Sequence, residues 1–266
     1  MPPYIAGLFR AITVAMAGLL PVAAAADDAA VMPTEGPALV AEVIDAETLR
    51  LADGRVLRLA GITVSTRTTG ADGRYAEAAR RTLALLVQDR PVVFAFGARR
   101  MDRHGRFLAQ VWRAGEDGAE DAWLQEALLA DGFARVATTP DNLLLVTDML
   151  RVEDGARRAR RGLWGDAAYR VRTPEDAGAV LDSFQIVEGR VLAVAIRRRA
   201  GYLNFGADYR TDFTLSLSRE ALRLMRQANV DPMALQGSRV RARGWLRSFN
   251  GPLIEITHPE QIEVLQ

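Results

Sequence analysis

The chain has no cysteine, no lysine and only two histidines, His104 and His258. Without cysteine there is no disulfide, no thiolate nucleophile or ligand, and no lipid anchor of the acylated-cysteine kind. Two histidines so far apart in sequence exclude a histidine cluster of the kind that holds zinc. Without lysine, all 34 strongly basic residues are arginine. The guanidinium fork favours bidentate contact with carboxylate or phosphate over the looser attraction of an ammonium point charge.

What remains is ordinary in composition. At 49% hydrophobic and 25% charged over 266 residues, wholesale disorder is excluded, and the length suits one large domain or two small ones. The N-terminus is set apart from the rest. Arg10 precedes an uncharged, mostly apolar run from Ala11 to Ala26, and Ala24 and Ala26 fit a small-x-small cleavage site before Asp27. Residues 1–26 therefore read as a secretory signal peptide, with an uncleaved anchor as the alternative. Cleavage would leave no stable membrane span and a periplasmic or secreted chain. It would also leave 33 arginines against 33 acids, a balance that argues against strong non-specific DNA binding. An exported chain of this length can do without disulfides if its core is large enough.

From Ala38 to Leu59 the pattern is strand, turn, strand, with Asp53-Gly54 as the hairpin signal. "YAEAARRTLALLVQ" changes to helical spacing, with Ala78, Leu83, Leu86 and Val87 expected inward. "PVVFAF" and "RFLAQVWR" return to strand. A helix started by Asp121 and stopped by Gly132 follows, then another from about Leu144 to Arg161. Residues 166–183 mix Asp, Pro and Gly without an apolar period and read as a linker or poorly structured bridge. Residues 184–266 repeat the pattern: three strand candidates, a short helix capped by Ser218, two strands around Asn250-Gly251 and a terminal strand. Each half is a five-strand set with added helices, and closure into a small barrel removes exposed strand edges. The expected fold is mainly β with added α, as tandem small barrels.

The ordered motifs "LRLAGI", "DGRYAEAARRTLALL", "MDRHGRFLAQVW", "LLADGFARV" and "ARRARRGLW" resemble the staphylococcal nuclease (thermonuclease-like) family over about residues 38–165. The resemblance implies an OB-type barrel. Active members are calcium-dependent phosphodiesterases in which two arginines clamp the phosphate, carboxylates hold the metal and a Glu helps to activate water. By position the clamp falls on Arg58 and Arg106, and the first metal carboxylate on Glu47, preceded by Asp45. Where the family reads D-x-P-E, this chain reads "TVST", so Thr63 replaces the metal-ligand Asp and Thr66 the catalytic Glu. Hydroxyls bring neither negative charge nor a comparable base at neutral pH.

Asp72 could join Glu47 in a compensating metal site, or both could be ordinary solvated or capping acids. Arg58 could equally pair with Asp45 or Glu47, and Arg106 with Asp102. His104 is expected as a turn residue and Trp164 as a core anchor. No cofactor is expected, unless calcium serves a surviving nuclease.

In the second half, residues 185–266 carry 12 arginines against 8 acids. Arg197, Arg198 and Arg199 stand beside the aromatic segment holding Tyr202 and Phe205. Basic side chains next to exposed aromatics would suit a single-strand-binding face, and a solvated hairpin tip over buried rings is the competing reading. Two function classes stay open. One is an exported non-catalytic binding or scaffold protein, with an envelope protein partner or weak nucleic-acid contact. The other is a divergent metal-dependent endonuclease cleaving DNA or RNA. Nothing in the pattern sets the oligomeric state.

Overall fold

The structure is a computed structural model that describes residues 34–64, 71–116, 118–208 and 210–265, with residues 71 and 72 described by backbone alone. The first half runs β1 (Glu35–Asp45), β2 (Thr48–Leu51), β3 (Val56–Leu59), β4 (Ile62–Thr63), α1 (Ala71–Val87), β5 (Pro91–Met101), β6 (Phe107–Ala114), β7 (Glu120–Trp123), α2 (Leu124–Ala130), β8 (Arg135–Val136) and α3 (Val146–Arg158). Short 3-10 turns at Gly162–Gly165, Ala167–Tyr169 and Ala177–Val180 lead onward. The second half runs β9 (Ser183–Arg190), β10 (Ala193–Ile196), β11 (Gly201–Asn204), β12 (Thr214–Leu217), α4 (Arg219–Gln227), β13 (Arg239–Ser248), β14 (Pro252–Ile256) and β15 (Ile262–Leu265).

Both halves close into rings of the same connectivity. In the first, β1 is long enough to serve two partners. Its start pairs with β5 through Ala38↔Val92, and its end pairs with β2 through Val43↔Leu49, with irregularities between Val40 and Glu42 that let it turn the corner. β3 then lies parallel to β6, with Arg58 opposite Leu108, so that β1-β2-β3-β6-β5 is a closed barrel. In the second, β9 and β10 together play the part of β1. β9 pairs along β13 from Arg239 to Leu246, and β10 pairs with β11. β12 lies parallel to β14, which returns to β13. Each ring has a helix between its third and fourth strands, α1 in one and α4 in the other. This is tandem OB-type architecture, mainly β with added helices.

The hydrophobic pattern explains the helices. On α1, Ala79, Leu83 and Val87 recur at four-residue intervals and are buried against Leu49, Leu57 and Phe94. Ala78, expected inward, is half-buried, so the face turns by one residue while Leu83 and Val87 keep their place. Burying a leucine such as Leu83 contributes roughly 1.5–3 kcal/mol. Ser218 caps α4 as expected, its Oγ accepting from Ala221 N–H at 3.0 Å. Asp121 does not start α2. It lies in β7, where its carboxylate takes Arg113 Nε–H at 2.7 Å, and the helix begins at Leu124 without a side-chain cap. A cross-strand ion pair wins there over capping.

The reading of residues 166–183 as a poorly structured bridge is corrected. Two 3-10 turns lie in the stretch, Tyr169 and Ala177 are buried, and Arg172 forms a β-bridge with Val187 through its N–H to Ile186 O at 2.8 Å. A small core of Ala156, Leu163, Trp164, Tyr169 and Ile186 draws from both halves, with Trp164 as the anchor expected of it. Tyr75 of α1 meets Tyr169 edge-on at 5.7 Å.

A buried ionic cluster joins the barrels next to that core. Arg243 on β13 is 2% exposed, with Nη1 2.7 Å from Glu153 Oε2 on α3 and Nη2 on Glu263 of β15. The second oxygen of Glu153 accepts Val136 N–H at 2.7 Å. Burial opposes the charge on Arg243, but the two carboxylates outweigh it and raise its pKa above the usual arginine value. Beside it, Arg241 bonds Glu188 at 3.0 Å. Fully buried His258, between Thr138 Oγ1 at 2.8 Å and Thr257 Oγ1 at 2.9 Å, ties the second barrel to the loop after β8.

Candidate functional site

Glu47 sits in the two-residue turn between β1 and β2, which Asp45 shapes by accepting Glu47 N–H at 2.8 Å. The backbone turns the Glu47 side chain inward, leaving it 5% exposed. Both of its oxygens are taken. Oε2 lies 2.6 Å from Arg58 Nη2, and Oε1 accepts the N–H of Val64 just after β4. Desolvation raises the Glu47 pKa, aided by Asp45, against the pull of Arg58, Val64 N–H and Arg106.

Arg106 ends the turn between β5 and β6. Asp102 organises that turn, accepting the backbone N–H of His104 at 2.8 Å and of Arg106 at 3.0 Å, and the Arg106 Nε–H at 2.7 Å. Burial works against the Asp102 charge, but these donors outweigh it and hold its carboxyl below the usual range. Both arginines thus meet the carboxylates that the sequence offers them. His104 is a turn residue of this loop.

Arg58 and Arg106, expected as a clamp, do share a cleft of about 350 Å³. Arg99, Arg103, His104 and Asp102 line it with them, and Thr139 and Asn142 form the opposite wall. Arg99 is paired with Asp141 at 2.6 Å. Asn142 was not legible as a site residue. It is 3% exposed, its amide atoms have no partner among the described residues, and it packs so closely on Gly97 that a β-carbon there would stand 2.5 Å from Asn142 Oδ1.

Among the described residues, acids do not gather in this cleft as they would at an active nuclease site. Thr63 is half-buried on β4, paired in register with Arg135 of β8, and does not line the cleft. Thr66 and the side chain of Asp72 lie outside the described residues. Among the described residues no three His, Asp or Glu converge as a metal site. The donor set among the described residues does not fit calcium, which takes several anionic oxygens. Glu47 spends both oxygens on protein donors, and Thr63 offers no charge.

The second barrel carries its own concavity, a groove of about 540 Å³ over β11 and β12. Arg197, Tyr202, Asn204, Thr214, Phe249 and Asn250 line it, from the β10–β11 and β13–β14 hairpin tips and the strands between. Arg198 and Arg199 are exposed beside Arg197. Phe205, named with Tyr202 as a nucleic-acid contact, is corrected: it is buried in the second core, 5.1 Å from the ring of Phe213. Phe249, which sequence reasoning passed over, is the more exposed of the two rings that line the groove. Its only signal was its place before Asn250-Gly251.

An OB-type barrel bearing an arginine-lined cleft defines the class: a nuclease-type barrel. Residues 56–166 match the family model described as Staphylococcal nuclease homologue, so this segment is a domain of that family. The match runs from β3 to the turn after Trp164, while β1 and β2, which complete the ring, precede it. The comparison with curated proteins gives no match. Among the described residues, no helix is long and apolar enough to cross a membrane.

Proposed function

We propose that the chain is an exported, non-catalytic binding or scaffold protein, a pseudoenzyme built on a degenerate thermonuclease-like domain. One observation carries the reading. Glu47, the remaining carboxylate at a family metal position, is consumed by Arg58 and Val64 N–H, and Thr63 stands where the second acid would be. A clamp without a base or metal can hold an anion but cannot prepare a water for attack. Export to the periplasm or outside the cell is supported by the run after Arg10 and its small-residue end at Ala24 and Ala26. An envelope protein or a weakly held nucleic acid is the partner class, with no resident cofactor.

The test is turnover of single-stranded DNA and RNA by the mature chain with calcium, magnesium and manganese. The expected result is no metal-dependent cleavage above background. Cleavage abolished by both Arg58→Ala and Glu47→Ala would overturn the reading in favour of a divergent calcium-dependent endonuclease.

A further inference from the structure

The groove on the second barrel combines three features that the arginine cleft of the first does not. The first is exposed aromatic surface. Tyr202 is 36% exposed on the floor and Phe249 is 66% exposed at the rim. Phe249 is not a loose side chain on a floppy loop. Its N–H bonds Gly251 O at 2.8 Å across a tip where Asn250 (φ 49°) and Gly251 (φ 90°) both take the left-handed conformation. Gly251 also lies so close to Thr211 that a β-carbon would stand 2.6 Å from its carbonyl oxygen. The hairpin therefore fixes the backbone that carries the exposed ring at the edge of the groove.

The second feature is charge. Arg197, Arg198 and Arg199 are exposed and have no carboxylate partner among the described residues. Elsewhere on the same barrel Arg223 pairs with Glu220, and Arg239 and Arg241 with Glu188, while exposed Arg219, Arg226 and Arg247 also lack a carboxylate partner among the described residues but stand singly along the chain. Three adjacent guanidinium forks with no carboxylate partner among the described residues suit an anionic occupant. The third feature is polar donors set between the rings. Asn204 accepts Thr214 Oγ1–H at 3.3 Å, and its amide N–H₂ makes no hydrogen bond among the described residues. The floor that carries these groups is fixed by strand pairing, with Asn204 opposite Thr214 and Tyr202 opposite Ser216.

Together these match one chemistry, a strand with a planar face on each unit and a negative charge between units. We infer that this groove binds a short single-stranded polynucleotide, with bases laid on Tyr202 and Phe249, Asn204 meeting a base edge, and Arg197 to Arg199 meeting phosphates. A duplex would keep its bases stacked on one another and could not use the rings. A neutral sugar would leave the arginines without a purpose. The inference names the partner of the binding protein proposed above and rests on that reading in taking binding, not turnover, as the task.

The test uses the mature chain and a fluorescein-labelled oligothymidylate of about ten nucleotides, within the span of one such barrel. Anisotropy is read in EDTA at low and moderate salt. Binding is expected at low salt and should weaken about tenfold in Phe249→Ala and in Tyr202→Ala, the size of one base–ring stack. Replacing Arg197, Arg198 and Arg199 by alanine should shallow the plot of log affinity against log salt by roughly 0.7 for each phosphate that is no longer neutralised. Leu85→Ala, on the exposed face of α1, serves as a control that leaves binding unchanged.

Four results would overturn the inference: no signal at low salt; a signal that neither the aromatic nor the arginine variants move; loss of binding in Arg58→Ala alone; or displacement by polygalacturonate as readily as by unlabelled oligonucleotide, which would make the groove an anionic-glycan site. EDTA removes metal-dependent hydrolysis from the readout. A failed binding test therefore leaves the non-catalytic reading standing, whereas cleavage in the metal assay overturns that reading and is told apart from a loss of binding in EDTA.

Discussion

Glu153 of α3 and Arg243 of β13 meet 2.7 Å apart, with side chains 3% and 2% exposed, although 90 residues separate them in sequence. The pair is one of the contacts that join the two barrels, which lie in one compact unit. It sits where water cannot compensate either charge, so each partner depends on the other.

Arg243→Met should therefore destabilise the chain by about 3–5 kcal/mol, because it strands buried Glu153 and leaves Glu263 only the more distant Arg241. Adding Glu153→Leu should cost less than the sum of the two single changes. Urea unfolding followed by circular dichroism reads both effects. Strictly additive losses would show that the pair is not coupled.

The segment from 166 to 183 should resist native-state proteolysis. Its backbone is bridged to β9 at Arg172 and Val187, and Asp182 N–H bonds Leu246 O at 2.8 Å. Mass spectrometry of a limited digest locates the cuts. Early cleavage there, releasing two folded fragments, would mean that the barrels are independent.

Acid should loosen the interface through His258. Burial depresses its pKa from 6.5 to about 4, against the opposing pull of Asp141. The unfolded chain binds this proton more readily than the folded one. The contribution of His258 to stability is therefore full above about pH 6.5 and is lost as pH falls towards 4, by up to roughly 3 kcal/mol. His258→Gln should flatten that part of the stability–pH curve. An unchanged slope would assign acid sensitivity to other groups.

Glu47 works in the opposite direction. Its pKa is raised, so the folded state holds the proton more tightly than the unfolded one, and stability declines as pH rises from the ordinary carboxylate value through the folded one. Glu47→Gln should gain on the wild type as pH rises above 4.5. Glu47→Ala should instead lose about 1–3 kcal/mol, because Val64 N–H is left without its acceptor. Thermal melts across that range separate the two variants. A Gln variant that loses stability with rising pH would reverse the sign assigned here.

Export predicts a mature N-terminus near Asp27. Edman sequencing of the protein recovered from the envelope fraction checks it. Intact Met1 on cytoplasmic protein would refute export.

The elements legible in the sequence are those with local causes. Asp53-Gly54 and Asn250-Gly251 set hairpins because such residues accept the backbone angles of a tight turn, and Ser218 caps α4 through a bond within its own first turn. The positions of Arg58 and Arg106 were readable from "RLAGI" and "DRHGR" because each lies within a few residues of the strand or turn that carries it. Closure of β3 on β6 and of β12 on β14 then brought together what those motifs kept apart. Alternation along β13 correctly sends Val240 and Ala242 into the barrel and Arg241 and Arg243 out of it, an outward face that reads as solvent. Only the arrival of α3 turns that face into an interior, and no feature of residues 239–248 announces it. Phe205 and Phe249 show the same limit in miniature. Both are rings next to turns, and the chain alone assigns neither to core or surface. The curvature of the barrel puts Phe205 on Phe213 inside and leaves Phe249 on a hairpin tip outside, because burial depends on which other segments come to cover a residue.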